Sequence, residues 1–213
     1  MNPFKVVEDF EKAVANYASA PYCVALNSCT NALFLCLEWE KLNLKKHYNS
    51  QYVEIPKRTY IGVAQSILNA GFEVHFREEN WHGYYQLEPF DIWDCAKRFT
   101  FGMYSDFNGE GLGSRRTFVC TSHHWQKILG IQQGGCILHN DAKADEWFRR
   151  ARFDGRTPGI PASQEREPIR GWHMYMSPEV AAEGLVRLSH LPKHNKDLPM
   201  DNYPDLSQME IFK

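Results

Sequence analysis

The sequence predicts an α/β fold in which a mostly parallel sheet lies between helices. Three observations predict it. Short apolar runs of strand length recur along the chain, segments of helical periodicity alternate with them, and small polar or acidic residues follow the runs. Taken in order, Phe4, Val7, Phe10, Val14 and Tyr17 recur at helical spacing and predict a helix over residues 4–18 with one buried face. YCVAL, residues 22–26, reads as a buried strand, Asn27-Ser28-Cys29-Thr30 as a turn, and residues 32–39, apolar on nearly every side, as a buried helix. Val53-Glu54-Ile55 is a strand ended by Pro56, residues 60–70 a helix and residues 73–76 a strand. Ile92-Trp93 leads to Asp94 at a strand end, and strands at 118–120 and 135–138 bracket a loop. Residues 142–153 form a helix with a charged face, and Ser177-Pro178-Glu179 opens another with an N-cap and a first-turn proline. Residues 154–170 and 189–213, rich in Pro, Arg, Asn and Asp, read as loop.

Composition narrows the function classes. With 43% apolar and 14% aromatic residues, the 213-residue chain buries a substantial core and is not disordered. Its net charge of −2 provides no general field for nucleic acid. No apolar run approaches the ~20 residues of a membrane helix, and the start is an amphipathic helix pattern, not a signal peptide. The six cysteines form no C-x-x-C pair and lie in apolar contexts, which predicts reduced, buried thiols in a cytoplasmic enzyme and neither a zinc site nor a disulfide framework. The histidines at 123 and 124 have no third ligand at metal spacing, so no metal is expected. Arg149, Arg150 and Arg152, with Lys143, read as a solvated helix face.

In such a sheet, ligands sit beyond the carboxyl ends of the strands. Three groups fall there: Ser28-Cys29-Thr30, Asp94, and Ser122 with Lys127. Lys127 is the only charge between Thr121 and Leu138. A poorly solvated lysine loses its proton more easily and becomes a nucleophile for a carbonyl. The turn at 28–30 offers backbone N–H donors to a phosphate, although Ser28 suits a helix cap equally well. An aspartate at a strand end is often only a turn former, but beside a heterocyclic nitrogen it keeps that nitrogen protonated. Lysine, aspartate and phosphate cradle together are the parts of a pyridoxal 5'-phosphate site.

The stretches VALNSCTNALFLCL, IPKRTYIGVAQSILNAG, IWDCAK, TSHHWQKILGIQQGGCIL and GWHMYMSPEVAAEGLVRL occur in the order found in the DegT/DnrJ/StrS family of sugar aminotransferases, which this chain resembles over most of residues 4–190. The resemblance implies the aspartate aminotransferase-like (type I) fold of pyridoxal-phosphate enzymes. It implies Lys127 as the Schiff-base lysine, Asp94 against the ring nitrogen, and Ser28, Cys29, Thr30 and Ser122 around the phosphate. It also implies Tyr60 stacked on the cofactor ring and His124 near it. Where the family has a glutamine near the cofactor's phenolic oxygen, this chain has Lys97, followed by Arg98, whose role the sequence leaves open. Where the family loop that reaches the neighbouring subunit's phosphate has asparagine and arginine, it has His173 and Tyr175.

From the resemblance, residues 1–190 are expected to form a shortened cofactor-binding large domain and 191–213 a tail, the remnant of a small domain. The expected activity is transfer of an amino group from an amino acid such as glutamate to a keto-sugar nucleotide, in a homodimer with its active site at the interface. The alternative is a cofactor-binding protein of the same fold without transaminase activity or with another substrate. Lys127 argues against the family's dehydrating branch, which carries histidine there.

Overall fold

The computed structural model describes residues 3–47, 51–107 and 116–213. Along the chain run α1 (Lys5–Ala18), β1 (Tyr22–Leu26), α2 (Cys29–His47), β2 (Tyr52–Pro56), α3 (Ile61–Asn69) and β3 (Glu73–Arg77). After them come β4 (Tyr85–Gln86), β5 (Ile92–Cys95), β6 (Phe118–Ser122), β7 (Gly135–His139), α4 (Ala142–Ala151) and α5 (Pro178–His190). The predicted elements are all present. β4 lies in a stretch where the sequence showed no strand.

The α/β class holds, but the sheet is mixed and not mostly parallel. Five strands are ordered β1-β7-β6-β5-β4, and β2 with β3 forms a separate parallel pair. Only β5 and β6 pair in parallel within the larger sheet. β7 runs against both β1 and β6, and β4 runs against β5. The cause is local. The connection from β6 to β7 contains no crossover helix, so the chain turns straight back, and the reversed strand then meets β1.

β1, β6 and β7 each feed two cores, because successive side chains point to opposite faces. Val24, Leu26, Phe118, Cys120 and Ile137 join α2, α3 and α4 on one face. Cys23, Ala25, Val119, Cys136 and Leu138 join α1 and α5 on the other. A strand buried on both faces has no polar alternation to show, which is why YCVAL reads as one apolar run. All six cysteines are free and buried. Beyond α5 the chain returns across the β5 end, and Leu206 is fully buried in the core shared by α2 and α3.

β1 is an edge strand, so part of its backbone faces away from β7 and needs other partners. Glu11, buried on α1, accepts from the Ala25 N–H at 2.9 Å. Arg149 donates to the Cys23 carbonyl at 3.1 Å and to Glu11 at 2.5 Å. Arg152 donates to Glu11 and to the Ala25 carbonyl. These two arginines are therefore not on a solvated face, as the sequence suggested; they replace the missing neighbour strand. Glu11→Gln keeps the shape but withdraws the charge that both guanidiniums face. It should lower unfolding free energy by about 2 kcal/mol in a urea titration. A loss under ~0.5 kcal/mol would reduce the triad to surface ion pairs.

Candidate active site

The carboxyl ends of β1, β5 and β6 and the start of the reversed β7 come together at one edge of the sheet, where Leu26 and Ser122 both pair with Gly135. A cleft of about 400 Å³ opens there. Ser28, Cys29, Thr30, Tyr60, Asp94, Lys97, Ser122, His124 and Lys127 all line it.

The turn after β1 is held by a helix cap. Ser28 Oγ accepts from the Asn31 N–H at 3.1 Å, so the capping role of Ser28 is real. The start of β7 lies against this turn. A Cβ on Gly135 would fall 2.4 Å from the Cys29 nitrogen, a backbone atom that cannot move aside cheaply. Gly135→Ala should cost about 1–3 kcal/mol by displacing the turn. Thermal unfolding would show it, and an unchanged midpoint would mean the strand can slip away from the turn.

Lys127 sits on the loop between β6 and β7. That loop is pinned by the buried side chains of His123, Leu129 and Ile131 and by the bonds Ile131 N–H to His123 O and His123 N–H to Gly134 O, both 2.9 Å. The His123 ring lies edge-on to Phe10 and Phe99, and burial pushes its imidazole down to about 3, so it packs as a neutral ring. Among the described residues, the Lys127 amine has no hydrogen bond or ion pair, and neither hydroxyl of Thr30 or Ser122 has a hydrogen-bond partner. Burial, and then the neighbouring Lys97 charge, lower the Lys127 pKa, with Asp201 and Asp94 opposing.

Asp94 is buried at the end of β5. Its Oδ1 accepts from the Ala96 N–H at 2.9 Å and its Oδ2 from the Tyr85 hydroxyl at 2.6 Å, and that hydroxyl is also 2.7 Å from Thr59 Oγ1. Burial raises the carboxyl pKa while these hydrogen bonds pull it back. Tyr60, 54% exposed, stands before α3 at the cleft mouth. Lys97 turns to Asp201 from the far end of the chain, at 2.7 Å.

His173 lies outside this cleft. It is exposed, with Nδ1 2.9 Å from Asp154 Oδ2. The strand-like stretch it belongs to does abut the turn, since the Asn27 N–H donates to the Met174 carbonyl at 2.9 Å. Sequence reasoning missed Thr59, Trp81, Asp201 and Tyr203 as lining residues, and it missed the buried Tyr85 behind Asp94. A larger hollow, about 510 Å³, lies between α1 and α4, and of its charged lining Glu11, Arg149 and Arg152 already satisfy one another.

Residues 2–92 and 90–198 match the model of the DegT/DnrJ/EryC1/StrS aminotransferase family. A GDP-perosamine synthase of Caulobacter vibrioides is 24% identical over 223 residues, covering 89% of this chain and 58% of that protein. Among solved structures, a sugar aminotransferase of Micromonospora echinospora superposes with a TM-score of 0.67 at 16% identity, over 88% of this chain and 61% of that one. A DegT/DnrJ/EryC1/StrS aminotransferase of Brucella abortus gives 0.64 at 18%, over 88% and 59%. A GDP-4-keto-6-deoxymannose-3-dehydratase gives 0.65 at 15%, over 88% and 61%. The chain thus spans about three fifths of the length of these proteins, and their shared fold is that of type I pyridoxal-phosphate enzymes. With the family model matched along nearly the whole sequence, the chain belongs to the DegT/DnrJ/EryC1/StrS aminotransferase family.

Proposed function

We propose that the chain is a pyridoxal-phosphate-dependent aminotransferase that moves an amino group from an amino acid such as glutamate to a keto-sugar nucleotide. The observation that carries this reading is the unpaired, poorly solvated amine of Lys127, which shares one cleft with the buried carboxylate of Asp94. The residues fit the cofactor. Thr30 and Ser122 present free hydroxyls, the α2 N-terminus presents backbone N–H groups, and Asp94 supplies an anion for a ring nitrogen. When bound, pyridoxal phosphate supplies a carbonyl carbon and an electron-withdrawing ring.

Lys127 then has two tasks. Its amine would hold the cofactor, and, free of it, would take and return a proton at Nζ. Cys29 would contribute its backbone N–H to the phosphate, Tyr60 would cover a ring face, and Lys97 and His124, which line the same cleft, would serve the cofactor's polar groups. We extend the proposal to a homodimer in which His173 reaches the partner's phosphate. Tyr60 and Trp125, 64% exposed, support a covering surface beside the cleft mouth. Sedimentation should show a dimer, and a monomer that still binds cofactor tightly would remove that part.

One observation favours a second reading, cofactor binding without transamination. The Lys97–Asp201 pair stands in the cleft beside Lys127, in space that a donor or acceptor needs. Absorbance separates the two. Added pyridoxal phosphate should give a visible band, glutamate should convert it to the amine form, and one of a panel of nucleotide keto-sugars should restore it. No band at all would overturn both readings, and a band unmoved by any donor would favour the second.

A further inference from the structure

The polypeptide beyond α5 carries aspartates at three positions four residues apart, Asp197, Asp201 and Asp205, and each meets a cation from a strand-end loop. Asp197 lies 2.8 Å from Arg98, Asp201 lies 2.7 Å from Lys97, and Asp205 lies 3.1 Å from Lys57. Backbone bonds fix the same register: the Leu198 N–H donates to the Lys97 carbonyl and the Leu206 N–H to the Lys57 carbonyl, each at 2.8 Å. These bonds anchor the strap at the β5 end and at the β2 end, so it runs along the cleft between them. It places Asp201 and Tyr203 in the cleft wall, with the Tyr203 hydroxyl donating to Asp201 at 2.8 Å.

The cleft therefore contains two lysines. Lys97 has a carboxylate partner and Lys127 has none. We propose that Asp201 is a positioning residue for Lys127: by engaging the ammonium of Lys97 it separates the roles of the two amines and leaves Lys127 unpaired as the nucleophile. The proposal rests on the reading of Lys127 as the attachment point. The charged and titratable groups facing Lys127 are Asp94 and Lys97 from β5 and its following turn, Cys29 from α2, Asp201 and Tyr203 from the strap, Tyr60 before α3, and His124 on its own loop. Of these, Lys97 disfavours the Lys127 ammonium and Asp201 favours it.

The test uses the full chain without cofactor. Trace acetic anhydride at a series of pH values, with the acetylated peptide counted by mass spectrometry, gives the titration midpoint of Lys127. Lys97→Gln removes the neighbouring cation and frees the Asp201 carboxylate, and should raise the midpoint. Asp201→Asn removes the carboxylate and should lower it, each shift being on the order of half a pH unit. A purely structural role for the strap predicts something else: either substitution would loosen it, admit water to Lys127 and raise the midpoint in both. Shifts in the same direction, or none, overturn the proposal. Should Asp201→Asn not fold by circular dichroism, Asp201→Ser takes its place, and a midpoint that fails to fall overturns the proposal. A chain that shows opposed shifts yet binds no pyridoxal phosphate would overturn the aminotransferase reading, and with it the nucleophile's role, and leave only the coupling of Asp201 and Lys97 to the Lys127 amine.

Discussion

Lys127→Ala is expected to abolish the adduct that borohydride fixes between protein and pyridoxal phosphate, and to lower transamination by on the order of 10⁴-fold or more. The substitution removes the attacking amine and the proton carrier together, and no neighbour is placed to replace both. Lys97 shares the cleft, but its ammonium is held by Asp201. The fold should survive, because the loop is anchored by His123, Leu129 and Ile131, while the Lys127 side chain has no hydrogen bond or ion pair to lose. Taking a cation out of a poorly solvated place should stabilise the chain slightly. Peptide mapping after reduction reads the result directly. An adduct at full yield in the variant would move the attachment point to Lys97 and overturn the assignment.

The contrast between those two lysines shows what a sequence exposes. Lys127 was legible because its surroundings are local: a run without other charges, ended by the pair Gly134-Gly135, tells of burial by itself. Lys97 and Arg98 were not, because their partners Asp201 and Asp197 lie 104 and 99 residues away. The same holds for Arg149 and Arg152. Their position on α4 looked solvated until α1 brought Glu11, more than 130 residues earlier, against the open edge of β1. Strand direction failed for a related reason. An apolar run buried on both faces looks the same whichever way it points, so β7 was found with nearly correct bounds but given no sign of its reversal. Tyr85 was hidden because only the pairing of β4 with β5 sets it opposite Asp94.

That pairing also determines what Asp94→Asn should do. Asparagine has the size of aspartate and can still accept from the Ala96 N–H through its carbonyl oxygen. Its amide can donate to the Tyr85 hydroxyl, which reverses its role and donates to Thr59 instead. The hydrogen-bond network closes either way, so unfolding free energy should change by less than about 1 kcal/mol. What disappears is the negative charge. Burial raises the wild-type carboxyl pKa, and a protonated ring nitrogen alongside would act in the opposite direction and favour the anion. The neutral amide could not return that favour, so a ring nitrogen beside it would lose its proton and the ring would draw electrons less strongly. Cofactor should still bind through the turn at 28–30 and Ser122, while the glutamate half-reaction slows by roughly 10²- to 10³-fold, the usual scale for removing one preorganised electrostatic partner. Stopped-flow absorbance in a single turnover measures that step apart from binding and product release. A half-reaction as fast as that of the wild type would take Asp94 out of the site and reduce the Tyr85–Asp94 pair to a buried element of the fold.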